Sequence, residues 1–228
     1  METRLRYIAV VIMSVISLSM MGGHTVSASS SDTAPYVGEN LWGVRCHGTR
    51  KPQEVFDYTL RAAFQTQLRL TENFHFSSNV ENLISGDTSR NALDDIDFTL
   101  TRWPNHHRAL NSAVRARTKN PDSFKTNGYT PAECYLQRAI NFSPKDATSV
   151  MLFGNLLQRL GFLDEARLQY SKAESLDPDS LELKYNFGLL MVRLKKYDEA
   201  KEYASYVYSR GFPLPGLKRK LKRLGYSI

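Results

Sequence analysis

An internal period of 34 residues constrains this chain more than any other feature. Gly154 recurs as Gly188, Leu160 as Leu194, and the triplet Asp164-Glu165-Ala166 as Asp198-Glu199-Ala200. A segment that returns at this interval is one supersecondary unit copied, and because one copy cannot bury its apolar face alone, the copies must stack. In weaker form the period reaches further back: Ala132, Leu136, Ala139 and Pro144 stand 34 residues before Ala166, Tyr170, Ala173 and Pro178. Helix-stopping prolines follow at Pro104, Pro144, Pro178 and Pro213, in steps of 40, 34 and 35, and a polar insertion around Asn120 accounts for the long first step. About four units are expected, two of them regular.

The N-terminus differs in character. Arg4 and Arg6 precede an apolar run at residues 8–21, which is followed by Val26-Ser27-Ala28. The run is shorter than the roughly 20 residues of a spanning helix, and the small-x-small tripeptide suits a peptidase, so residues 1–28 are expected to be a signal peptide cleaved after Ala28. An uncleaved anchor is the competing outcome. No Cys stands near the run for lipid attachment, and no later segment is apolar enough to span a membrane. The mature chain is therefore expected to be exported, with the periplasm of a Gram-negative bacterium the favoured address. Outside the reducing cytosol, Cys46 and Cys134 are most simply one disulfide, with two buried free thiols as the other arrangement. Such a bridge removes about 4–5 kcal/mol of unfolded-state entropy.

A composition of 42% hydrophobic and 23% charged residues is that of a globular chain. Residues 29–52 are rich in Ser, Gly and Pro without periodicity, and are expected to be a poorly ordered arm touching the domain through Trp42 and Cys46. Residues 53–146 read as helices in degenerate hairpins. Phe56, Leu60, Phe64 and Leu68 recur every four residues, predicting a helix over 54–70. Further helices are predicted at 79–85, 89–102, 106–117 and 131–142, with Asn105 capping the third and a polar loop at 118–130.

The motif of the regular part reads Val150-x2-Phe153-Gly154-x2-Leu157, Ala166-x3-Tyr170, Ala173 and Pro178 in its first copy. Its second copy reads Lys184-x2-Phe187-Gly188-x2-Met191, then Ala200-x3-Ala204. On these residues 147–214 resemble two tetratricopeptide repeats, helix-turn-helix units with the pattern W-x2-L-G-x2-Y, A-x3-F, A and P. The resemblance implies an all-α right-handed superhelix of antiparallel hairpins, two regular and about two degenerate, ended by a capping helix over 215–228. Gly154 is expected against Ala166 and Gly188 against Ala200. Asp164 and Asp198 are expected to cap the second helices, and Gly161 to end a first one. The opening aromatic is absent from both copies and Ala204 replaces a bulky residue, so the last unit is expected to pack less tightly. The wider chain resembles exported bacterial tetratricopeptide proteins with an N-terminal extension, through Asp57-Tyr58-Thr59, Asp97-Phe98-Thr99-Leu100 and the stretch from Trp103-Pro104-Asn105-His106-His107 to Leu110. That likeness brings no activity with it.

Tetratricopeptide arrays present a concave groove lined by the first helix of each hairpin. Carried over residue by residue, the groove positions are Thr148, Met151, Asn155, Gln158 and Arg159, then Glu182, Tyr185, Leu189, Val192 and Arg193. Arg159 and Arg193 would form a basic ladder for carboxylates, or else be two solvated arginines. Asn155 and Asn186 fall where some family members clamp a terminal carboxylate, but Met151 takes the place of a required Lys. The expected partner is another protein of the cell envelope.

Residues 1–28 hold Arg4, Arg6 and Glu2, a net +1, which leaves +6 of the chain's +7 for the mature protein. Five of those charges are Lys218, Arg219, Lys220, Lys222 and Arg223, placed around an apolar stripe of Leu217, Leu221 and Leu224. That pattern fits a solvated cap, or weak contact with an anionic membrane surface or polyanion. Nucleic acid as a partner would want a broader basic face, and an exported address argues against it. His47, His75, His106 and His107 lack paired-ligand spacing, so neither metal nor cofactor is expected. His106 and His107 are expected near the surface. Asp94 and Asp97 fit a wet helix face, and no phosphate loop, serine elbow or dinucleotide fingerprint is present, so the chain reads as a scaffold without catalytic residues.

Overall fold

The computed structural model describes residues 34–50, 53–120, 124 and 128–228. The expected signal peptide, its cleavage site and part of the polar loop lie outside these residues. Among the described residues the α-helices of a turn or more run in order: α1 (Gln65–His75), α2 (Ser78–Glu81), α3 (Ala92–Arg102), α4 (His107–Lys119), α5 (Ala132–Phe142), α6 (Ala147–Leu160), α7 (Leu163–Leu176), α8 (Leu181–Arg193), α9 (Tyr197–Tyr208) and α10 (Gly216–Arg223). They form an all-α array in which neighbouring helices pack as hairpins. Helix α6 lies against α4 and α5 on one side and α7 and α8 on the other, and α10 closes the stack on α8 and α9.

Local chemistry sets these boundaries. Asp146 caps α6 by accepting from the backbone N–H groups of Thr148 and Ser149. The same helix ends in Gly161 at φ 92°, where Phe162 N–H reaches back to the Leu157 carbonyl at 2.9 Å. Thirty-four residues later Lys195 adopts φ 61° and Lys196 N–H bonds the Met191 carbonyl at 2.9 Å, the same turn without the glycine. A left-handed conformation costs a side-chain-bearing residue about 1 kcal/mol, and Lys195 is exposed. Lys195→Gly is therefore expected to raise stability by about 1 kcal/mol in urea denaturation; an unchanged or lower midpoint would contradict this reading of the turn.

Gly154 lies under the Tyr170 ring, where an added Cβ would stand 3.0 Å from ring carbons. Gly188 instead meets a Leu217 methyl and the Tyr203 Cβ, 2.6 and 3.0 Å from where its own Cβ would lie. The nearest approaches at these glycines thus come from side chains larger than the expected Ala166 and Ala200, a ring over Gly154 and a leucine over Gly188. Tyr170, Phe187 and Tyr203 stack at 5.3 and 4.9 Å between centroids, a ring column that joins the two repeats. Asp164 and Asp198 make no side-chain caps, since α7 and α9 begin one residue before them. Their charges still oppose the positive end of the helix dipole.

The N-terminal half departs further from expectation. The helix predicted over 54–70 is a 3-10 segment, Tyr58–Phe64, kinked at Leu60 and followed by α1. Phe56 precedes it, packed on Phe64 and Trp103 at 5.2 and 5.0 Å, while Leu60 is exposed. Trp103 draws Phe56 out of the stripe, and Asp57 caps the turn instead. Asn91 caps α3, and α2 is a single turn.

Residues 34–50, expected to be poorly ordered, follow a defined path over α3, α4 and α5. Cys46 and Cys134 form a disulfide with a Cα–Cα distance of 5.4 Å. Arg138, buried in α5, donates to the Ala34 carbonyl at 2.6 Å and to the Leu100 and Thr101 carbonyls of α3. Arg50 and Thr49 reach Asp97 at 2.9 and 2.5 Å, and the Arg117 guanidinium lies 4.4 Å from the Trp42 ring centroid. Beneath the arm, Arg117 and Glu133 form a buried two-point ion pair at 3.1 and 3.2 Å. Among the described residues, no helix is long and apolar enough to cross a membrane.

Candidate functional site

The ten expected groove positions divide by burial. Arg159, Glu182 and Arg193 are exposed, and Thr148, Leu189 and Val192 are half-buried. Met151 is 3% exposed and Tyr185 8%, so neither offers surface to a partner. Helix α8 covers Met151, whose sulfur lies 3.8 Å from the Asn186 amide, and Phe212 stacks on Tyr185 at 4.8 Å. Asn155 and Gln158 are committed inward: the Tyr170 hydroxyl donates to the Asn155 carboxamide oxygen at 2.5 Å and lies 2.7 Å from that of Gln158.

Arg193 donates to the Gln158 backbone carbonyl, which ties the end of α8 to the end of α6 beside Arg159. Burial raises the pKa of Tyr170, and the charges of Arg159 and Arg193 oppose that rise, so both guanidiniums lie within electrostatic reach of one hydroxyl. Arg193 thereby reaches the end of α6 that carries Arg159.

On α10, Leu217 and Leu221 are buried while Lys218, Arg219, Lys220, Lys222 and Arg223 are all exposed. Among the described residues, none of these five cations pairs with a carboxylate.

Sequence reasoning missed a buried polar network where the N-terminal helices meet the repeats. Three histidines each face a carboxylate: His75 with Asp95 at 2.8 Å, His106 with Glu72 at 3.0 Å and His107 with Asp146 at 2.9 Å. Asn105 is not the helix cap; it bridges Asp57 and Asp146, while His106 caps α4 by accepting from Ala109 N–H. His106 is fully buried, contrary to the expected surface position. Asp97, expected on a wet face, is 4% exposed and accepts from Thr49, Arg50 and Tyr135 because the arm folds over it. The usable signal was the density of Asp, Asn and His between residues 94 and 107. Among the described residues, no three His, Cys, Asp or Glu side chains gather as a metal site.

This network carries a pH dependence. His106 accepts at Nδ1 and donates from Nε2, so its place requires the neutral ring, and burial pushes its pKa below the ordinary 6.5. A histidine whose folded pKa is lowered contributes stability above its unfolded pKa and loses it as pH falls, because the unfolded chain takes up a proton that the folded chain refuses. A loss of about 1 kcal/mol is expected between pH 7.5 and 5.5. His106→Asn keeps a capping oxygen without titrating in this window, and should flatten that slope in urea denaturation; equal slopes would sink the assignment.

The class that these features define is a stacked array of α-helical hairpins with tetratricopeptide-like spacing, closed by a basic helix. No protein-family model and no curated protein matches the chain. Among solved structures it is similar to MamA, residues 41 to the end, from Desulfovibrio magneticus RS-1, at TM-score 0.40 and 24% identity, covering 52% of this chain and 63% of that one. It is also similar to a MamA RS-1 double mutant designated ArsTM, at TM-score 0.39 and 23% identity, covering 60% and 67%. The chain thus spans less than two thirds of the first of these.

Proposed function

We propose that the chain is a non-catalytic adaptor that holds a segment of another exported protein on the face formed by α6 and α8. The observation that supports this reading is the Arg193 bond to the Gln158 carbonyl, which brings an exposed cation of α8 to the end of α6 beside exposed Arg159, with half-buried Leu189 and Val192 on the same helix as Arg193. Cations flank apolar side chains there on a rigid scaffold, the arrangement that suits an extended or helical peptide. The described arm lies on α3, α4 and α5, where it makes its bonds to Asp97, Glu133 and Arg138. The expected export and the disulfide fit an adaptor working in the periplasm.

Site-specific photo-crosslinking tests the reading. A crosslinker at Val192 should capture a discrete partner in the envelope fraction, whereas one at Lys172, exposed on α7, should not. Equal capture from both positions, or none from Val192, would overturn it.

A further inference from the structure

The closing helix continues the array's register. The 34-residue step from Glu182, Tyr185 and Leu189 lands on Gly216, Arg219 and Arg223. Two contacts seat this helix on α8. An added Cβ at Gly216 would strike the Tyr185 hydroxyl, and Leu217 occupies the space left by Gly188, 2.6 Å from where a Cβ there would lie. Helix α10 therefore packs on α8, where the first helix of a further unit would lie.

Its cations fall on two flanks. Lys218 lies on the α9 side, its N–H bonded to the Tyr208 hydroxyl at 3.0 Å and its ammonium 5.9 Å from that ring's centroid. Lys222 is one turn further along the same flank. Gly216 faces α8 through Tyr185, and the positions three, four and seven residues beyond it, Arg219, Lys220 and Arg223, lie on that side of the helix. Arg223 Nε also lies within 3.4 Å of the Arg219 carbonyl.

Resting on the adaptor reading above, we infer that Arg159, Arg193, Arg219 and Arg223 form one continuous cationic face. Its occupant is an acidic peptide segment of a partner protein, with carboxylates against the four guanidiniums and an apolar side chain against Leu189 and Val192. Charge complementarity argues for that occupant: among the described residues, the four exposed guanidiniums and Lys220 stand on α6, α8 and α10 against one exposed carboxylate, Glu182. Arginine, with its planar fork of donors, is suited to carboxylate recognition. The tail is thereby part of the groove and not a separate patch.

The probe is a fluorescein-labelled peptide, EELEEL, with QQLQQL as control, titrated by anisotropy into the full mature chain. Arg219→Ser/Arg223→Ser is expected to weaken EELEEL binding about tenfold, as is Arg159→Ser/Arg193→Ser. Lys218→Ser/Lys222→Ser removes the same charge from the other flank and should change affinity by less than about twofold. All these side chains are exposed, and Arg219→Lys/Arg223→Lys, which keeps the charge, should fold and bind within about threefold of wild type.

If only the Arg159/Arg193 pair matters, the extension to α10 is overturned and the adaptor reading stands. Equal losses from both flanks overturn the inference in favour of diffuse attraction. So does binding to phosphatidylglycerol vesicles that depends on Lys218 and Lys222 while the peptide does not bind. Absence of peptide binding by wild type overturns the acidic occupant, while photo-crosslinking at Val192 judges the adaptor reading independently.

Discussion

The Cys46→Ser/Cys134→Ser double variant is expected to lose about 4–5 kcal/mol of stability, the largest effect of any change considered for this chain. The bridge spans 88 residues, and the conformational freedom it removes from the unfolded chain grows with that span. Its removal also releases the one covalent hold on an arm otherwise kept by side-chain bonds from Arg138, Gln137 and Glu133. Urea denaturation of wild type and variant, each with and without dithiothreitol, checks this. Wild type with reductant should approach the variant, and the variant should ignore reductant. Trp42, seated over Arg117, reports the arm's departure by its emission. Coincident midpoints for oxidised wild type and the variant would show that the bridge does not constrain the unfolded chain.

Asp146→Ala is expected to cost about 3 kcal/mol, well beyond the roughly 1 kcal/mol of an ordinary cap. This carboxylate caps α6 through Thr148 and Ser149, and also accepts from the Ser149 hydroxyl, Asn105 and His107. Truncation leaves one N–H of the buried Asn105 amide, and the helix end, without a partner, while the other amide N–H keeps Asp57. Burial raises the Asp146 pKa, but the bonds from His107 and Ser149 outweigh it and hold the carboxyl below the usual range. A depressed carboxylate contributes stability above its unfolded pKa and loses it as pH falls through the folded value, so this share belongs to the acid limb below about pH 4. Asp146→Asn keeps a capping oxygen and should flatten that limb. A loss below about 1 kcal/mol in Asp146→Ala would show that the network relaxes around the gap.

The repeats were legible because their signals are local and recur: the 34-residue step, the helix-ending Gly161 and the paired Gly154 and Gly188 all describe neighbours in one hairpin. The N-terminal half resisted because its partners are distant in sequence. Arg138 reaches Ala34 across 104 residues, and Asp97 meets Arg50 across 47. No periodicity encodes such pairs, so an ordered arm looked like a loose one. The four-residue spacing of Phe56, Leu60, Phe64 and Leu68 misled for a related reason, since Trp103 supplies a better apolar partner for Phe56 than its own helix does. At the expected groove positions, repeat register put Arg193 one repeat after Arg159, and the structure brings Arg193 to the Gln158 carbonyl at the end of α6. Register could not show that Met151 and Tyr185 turn inward, because the residues that cover them, Asn186 of α8 and Phe212 after α9, come from further along the chain.

The disulfide also orders events in time. A chain emerging from its N-terminus exposes Cys46 well before Cys134, which follows 88 residues later, and the α5 surface that receives the arm is complete only at Phe142. During that interval Cys46 is a lone thiol, open to capture by a thiol-oxidising catalyst as a mixed disulfide. Closure onto Cys134 thus requires the N-terminal half through α5 and neither regular repeat. Early closure would make the bridge a marker of that half's completion, and pulse-labelled thiol trapping of nascent chains would time it.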